Sequence, residues 1–263
     1  MLEYVDELDF SQEKSAFFQV QGQLLKKNFE KRHIPTTLVC GGGVNEVYDF
    51  INQFIIDRPY IHDIAFSDGV TLYQLDLFNW VKSHFKEGFN INEPLERSKT
   101  GHYVIYGERE KGYKNIPYDE WKELSSQWYD NVRKSLLSDL LIISANAITL
   151  NGEIISIDGL GNRVSGMIFG PRHVICIVGR NKISTDIDAA MNRIHNYVAP
   201  LTYLRHINKH FSNFNDCPCV KVGKCANCNH DSSACRNVVV IRGQNNIHKD
   251  RIHLLVLDED LGF

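Results

Sequence analysis

The residues able to do chemistry fall into two groups along the chain. In the first, polar side chains stand where apolar runs end. These runs, Leu140–Ile143, 154–157 and 174–178, are rich in β-branched residues and bounded by Gly, Asn and Asp, which reads as buried strands. Ligands of open α/β sheets bind beyond the carboxyl ends of the strands. Asn146, Asp158, Asn162, Arg163 and Lys182 occupy such positions. A short strand at 36–40 likewise runs into Gly41, Gly42 and Gly43 before a helix over 44–54. Glycines let the backbone approach a ligand closely, and a following helix start attracts an anion. Arg163 can meet a carboxylate or phosphate with a bidentate fork, and Lys182 with a point charge. These eight residues form the predicted contact set for a small anionic metabolite. Asp158 precedes a glycine, so a turn role comes before an acid–base role.

The second group is sulfur. Five of the seven cysteines lie in one segment, Cys217-Pro-Cys219-x5-Cys225-x2-Cys228-x6-Cys235. The two-residue spacing of Cys225 and Cys228 suits a knuckle that aims two thiolates at one ion. Cys219 and Cys235 lie near enough in sequence to complete a four-sulfur shell, with His230 a substitute ligand. Zinc and an iron–sulfur cluster both accept four thiolates. Unligated thiols are the competing reading, and a disulfide is disfavoured in a reducing compartment. Cys40 reads as a small buried hydrophobe.

The elements that must position these groups follow from periodicity. Residues 11–30 form an amphipathic helix ending in a basic cluster that complements its dipole. A strand is expected over 61–66, helices over 71–85 and 118–139, and a hairpin insertion over 87–117 with a strand at 102–106. The third apolar run leads through Gly179, Arg180, Asn181 and Lys182 to a helix over 186–198 capped by Ser184 or Thr185. That order, strand then cationic turn then helix, is compatible with an anion at the helix start. A further helix over 202–211 carries His206 and His210 without the acidic residue of a metalloprotease motif. Strands at 238–241 and Ile252–Leu257 close the chain.

At 263 residues and 43% hydrophobic content, one α/β domain is the expectation: a mostly parallel open sheet flanked by helices. A net charge of −3 gives no electrostatic case for nucleic acid. No apolar run reaches the roughly 18 residues of a membrane span. The acidic start, MLEYVDELDF, lacks a secretory layout, so a cytoplasmic location is expected. The run from Gly159 to Gly166 is no dinucleotide fingerprint, since Val164 stands where the third glycine belongs. Neither a Walker loop nor a Ser-His-Asp order is present to name a reaction.

The strings SANAIT, IDGLGNR, FGP and GRNKI, then the AP of 199–200, resemble the LUD (lactate utilization) family. The triple glycine and the PC, GKC, C and C positions extend the resemblance, which matches Cys219, Cys225, Cys228 and Cys235 better than Cys217. It implies a fold like the sugar-phosphate isomerases and coenzyme A transferases and a link with oxidation of lactate or similar hydroxy acids. It brings no catalytic residue. Two functions are therefore expected. One is binding of a hydroxy acid, sugar phosphate or coenzyme A-type ligand. The alternative is an accessory protein whose cysteines hold a metal or cluster for electron transfer or docking to a redox partner; the implied redox context leans toward iron.

Overall fold

The computed structural model describes residues 11–41, 43–67, 69–84, 132–209, 217–231 and 233–263. Gly42, the insertion expected at 87–117, most of the helix expected over 118–139, and His210 lie outside the described residues.

Five parallel strands make the principal sheet: β1 (Thr36–Val39), β2 (Ile64–Phe66), β3 (Leu140–Ile143), β6 (His173–Gly179) and β9 (Ile252–Leu257). Their order is β1-β9-β6-β3-β2. Strands covered on both faces favour apolar residues on both, which is why LLII is continuous and IHLLVL is broken only by His253. Alternate side chains of these strands feed two cores. Leu140, Ile142, Ile175, Ile177, Leu255 and Leu257 pack with Val47, Ile51 and Ile55 of helix α2 (Val44–Ile56). Leu141, Ile143, Val174, Cys176, Leu254 and Val256 meet Phe18, Leu25 and Phe29 of α1 (Ser11–Glu30) on the opposite face.

A second, four-stranded sheet was not foreseen from the sequence. Its strands are β4 (Ala147–Thr149), β5 (Ile154–Asp158), β7 (Ile183–Ser184) and β8 (Asn237–Ile241), ordered β7-β4-β5-β8. The runs at 154–157 and 238–241 belong to it, paired antiparallel, and not to the principal sheet. The two sheets are joined by a pair of matched links. β3 passes into β4 through Ser144, Ala145 and Asn146, and β6 into β7 through Arg180, Asn181 and Lys182. β3 and β6 are parallel neighbours, and so are β4 and β7. The links therefore run side by side at the carboxyl edge of the principal sheet.

Local departures from the expected elements have local causes. The helix expected over 71–85 is split into α3 (Val70–Gln74) and α4 (Leu77–His84). Asp76 between them takes φ 46, outside the right-handed helical region, and its carboxylate accepts from the Asn79 side-chain amide in the first turn of the second helix. The cationic turn does not open a helix: it enters β7. Helix α6 (Ile187–Arg193) begins only afterwards, with Asp186, not Ser184 or Thr185, accepting from the Ala189 N–H as its cap. A π turn at Ile194–Val198 then joins it to α7 (Ala199–Lys209). Pro200 has no N–H to offer the preceding turn, and a π turn is a way to absorb that loss without ending the helix. No helix among the described residues is long and apolar enough to cross a membrane.

Candidate functional site

The carboxyl ends of β2, β3 and β6 converge on the Lys182 ammonium. Lys182 is 5% exposed, and its Nζ donates to Thr71 Oγ1 at 3.0 Å, Ser144 Oγ at 3.0 Å and the Ala145 carbonyl at 3.1 Å. Arg193, on α6, donates from Nε to the Asn181 carbonyl at 3.0 Å and from Nη1 to the Asn146 carbonyl at 3.1 Å. The two cations thus tie the β3–β4 link to the β6–β7 link. Among the described residues no carboxylate pairs with either. Burial lowers the Lys182 pKa to about 7; the Arg193 and Arg163 charges act the same way, against an opposing pull from the Cys176 thiol. Burial also holds the Arg193 pKa below its ordinary value. The buried Cys176 thiol nearby is pushed up to about 12, first by burial.

The predicted contacts distribute around this centre unevenly. Asn146 sits in the first link and uses its side-chain oxygen to accept from the Ile157 N–H at 2.8 Å. Asp158 ends β5 and accepts from the N–H groups of Arg163 at 2.8 Å and of Leu160 and Val164 at 3.3 Å each. It serves helix α5 (Asn162–Ile168), whose N-cap Gly161 has no side chain to do so. Arg163 lies 3.6 Å from the Asp158 carboxylate and donates to the Ile157 carbonyl at 2.8 Å, so part of its fork is engaged. Asn162 opens α5. These residues surround the ends of β4 and β5. Gly41 and Gly43 are apart from them, between β1 and α2, with φ of 77 and 66 that favour glycine. Their neighbours are acidic: a Cβ on Gly43 would lie 3.5 Å from Glu259 Oε1, and Asp258 and Glu46 help raise the Cys40 pKa after burial. Arg180 is held by Asp258 at 2.8 Å and Asp260 at 3.0 Å, which closes off the anion role considered for it.

Sequence reasoning passed over Thr71, Ser144 and Arg193. Ser144 had a signal, since it immediately follows the run Leu140–Ile143. Thr71 and Arg193 had none, because only folding brings them to the strand ends.

The thiols assemble elsewhere. Cys217 and Cys219 are buried at the short helix α8 (Pro218–Val222), and Cys225, Cys228 and Cys235 are half-buried. None of the seven cysteines is in a disulfide. Burial and then the neighbouring cysteines push Cys219 and Cys235 up to about 11, so the five sulfurs share one region. Cys217, set aside on sequence grounds, stands 3.6 Å from His230 Nδ1. Tyr203 accepts from the Ala234 N–H beside it. Among the described residues no three His, Cys, Asp or Glu groups are arranged to hold a metal ion.

An α/β protein with polar groups gathered at the carboxyl ends of parallel strands is the class that fold and site define. Residues 23–257 match the LUD domain, and the chain belongs to that family. Among solved structures it is similar to a DUF162 family protein from Deinococcus radiodurans, at TM-score 0.43 and 10% identity, over 91% of this chain and 97% of that one. Comparison with curated proteins finds no match.

Proposed function

We propose that the protein binds a small anionic metabolite at the junction of the two sheets, with Lys182, Arg193 and Arg163 supplying the positive field. One observation carries the reading: a buried ammonium and a half-buried guanidinium lie together with no carboxylate partner among the described residues. Buried charge is costly unless paired, and an arriving anion supplies the pair. The family's link with lactate utilization puts hydroxy acids first among the candidates, followed by sugar phosphates and coenzyme A thioesters. A thermal-shift series against these three classes tests it. Lys182→Ala and Arg163→Ala should each weaken the response by about 1.5–3 kcal/mol of charge-assisted hydrogen bonding, roughly 10- to 100-fold in Kd. If no anion stabilises the wild type, or both variants respond as it does, the assignment fails.

A second reading is favoured by the shared region of the five thiols, whose thiolates a cation would stabilise together. Cys219, Cys225, Cys228 and Cys235 would be its ligands, and zinc or an iron–sulfur cluster its occupant. Such a group requires the side chains to turn onto a common point. Metal analysis and visible absorbance of anaerobically purified protein, repeated with Cys225→Ser, separate colourless zinc from a cluster; metal-free protein leaves the site as thiols.

A further inference from the structure

We infer that Lys182 is a covalent anchor, its amine condensing with the carbonyl of a small 2-oxo acid to form an imine. This rests on the anion-binding reading of the same site and adds the reactive group to it. The Nζ stands where β2, β3 and β6 end, and its hydrogen-bond partners are two hydroxyls and a carbonyl. A lysine desolvated beside other cations is the arrangement that releases a nucleophilic amine near neutral pH. Burial, with Arg193 and Arg163, accordingly brings its pKa to about 7.

Two further features belong to this junction. Gly262 passes over it as backbone alone: a Cβ there would lie 3.1 Å from Lys182 Nζ and 2.7 Å from Thr71 Oγ1. Ser67, which follows β2, is buried, and its hydroxyl has no hydrogen-bond partner among the described residues. Gly69 lies beside both serines, with a Cβ position 3.9 Å from Ser67 Oγ and 3.7 Å from Ser144 Cβ. A buried hydroxyl without a partner calls for an explanation, and a ligand oxygen next to the lysine provides one. The 2-oxo acid class follows from the combination of amine and cations. The carbonyl carbon meets the amine, while the carboxylate enters the field of Arg193 and Arg163.

The step balances without a co-reactant. The Nζ lone pair adds to the carbonyl carbon, and the π pair moves onto oxygen. A proton passes from nitrogen to that oxygen through the Thr71 or Ser144 hydroxyl. The nitrogen then gives its second proton to the departing hydroxyl through the same relay, so that water leaves as the C=N bond forms. Nothing is oxidised or reduced.

The test is borohydride reduction of the full-length protein with pyruvate or glyoxylate, followed by intact mass and peptide mapping. The expected result is one reduced adduct per chain on the Lys182 peptide. Its labelling should exceed that of exposed-lysine peptides by about tenfold or more near neutral pH, because more of this amine is unprotonated. Labelling should rise with pH through about 7. Lys182→Arg should abolish the adduct, and the wild-type peptide map decides the question by itself if that variant does not fold. Adducts confined to surface lysines, or none, overturn the inference. If anions still shift the wild-type melting temperature through Lys182 while no adduct forms, the imine alone fails; if no anion shifts it, the binding reading fails with it.

Discussion

Asp158 illustrates how a polar residue at a strand end can be occupied by the fold. Its carboxylate takes three backbone N–H groups around the start of α5 and lies beside Arg163. Removing it orphans those donors at a cap that Gly161 cannot serve. Asp158→Ala is therefore expected to cost about 1–2 kcal/mol, with Asp158→Asn intermediate, since it keeps one acceptor oxygen. Urea titration of the three proteins checks this. Equal midpoints would mean that the carboxylate is not holding the helix. Lys182 differs in kind, because its three acceptors are uncharged and its charge is left unmatched among the described residues.

At the scale of elements, the two links between the sheets depend on the close approach of the C-terminal segment. Gly179 ends β6 under that segment, and a Cβ there would stand 2.5 Å from the Glu259 carbonyl oxygen and 2.6 Å from the Leu261 N. Both are backbone atoms and cannot swing aside. The same segment is fastened by Arg180 to Asp258 and Asp260, and by Asn181 to Leu261 and Gly262. Gly179→Ala should destabilise by on the order of 1–3 kcal/mol, the cost of overpacking a tight contact. A thermal melt that leaves the variant unchanged would show that the segment yields easily.

For the molecule as a whole, the opposite edge of the principal sheet sets a dependence on pH. His173 and His253 pack there against Phe54, and burial, then the Arg58 charge, lowers both pKa values to about 4. Arg251 lowers that of His173 further; Asp139 and Asp250 act in the opposite sense. Between about pH 4 and 6.5 the unfolded chain binds protons that the folded one refuses, so stability rises with pH across that window. It is present in full above about 6.5 and is lost as the pH falls toward 4. Replacing His253 with Gln should flatten the curve of melting temperature against pH between 4 and 6.5. An unchanged slope would place the acid sensitivity elsewhere.

Much of the framework is written in local sequence. The runs Leu140–Ile143 and Ile252–Leu257 become strands with those bounds because a strand covered on both faces is apolar on both, with His253 the exception in the second. The long helix at Ser11–Glu30 and the family strings around the strand ends are equally local properties, although the face that helix buries carries Phe18, Leu25 and Phe29 while Phe17, Val20 and Leu24 stay exposed. The partition into two sheets is not. Ile154–Asp158 is as continuously buried as β3, yet pairs with β8 across 79 to 87 residues of chain. An apolar run specifies burial and leaves its neighbour undetermined. The site divides in the same way. Lys182 stands out in the sequence as a cation after a strand, but its hydroxyl partners come from residues 38 and 111 positions away. Arg180, two residues earlier, looks equivalent and is spent on Asp258 and Asp260. Charge and position along the chain are fixed by sequence. Whether a charge is buried, paired or left unmatched depends on what folding brings within a few ångströms, and only the tertiary structure decides that.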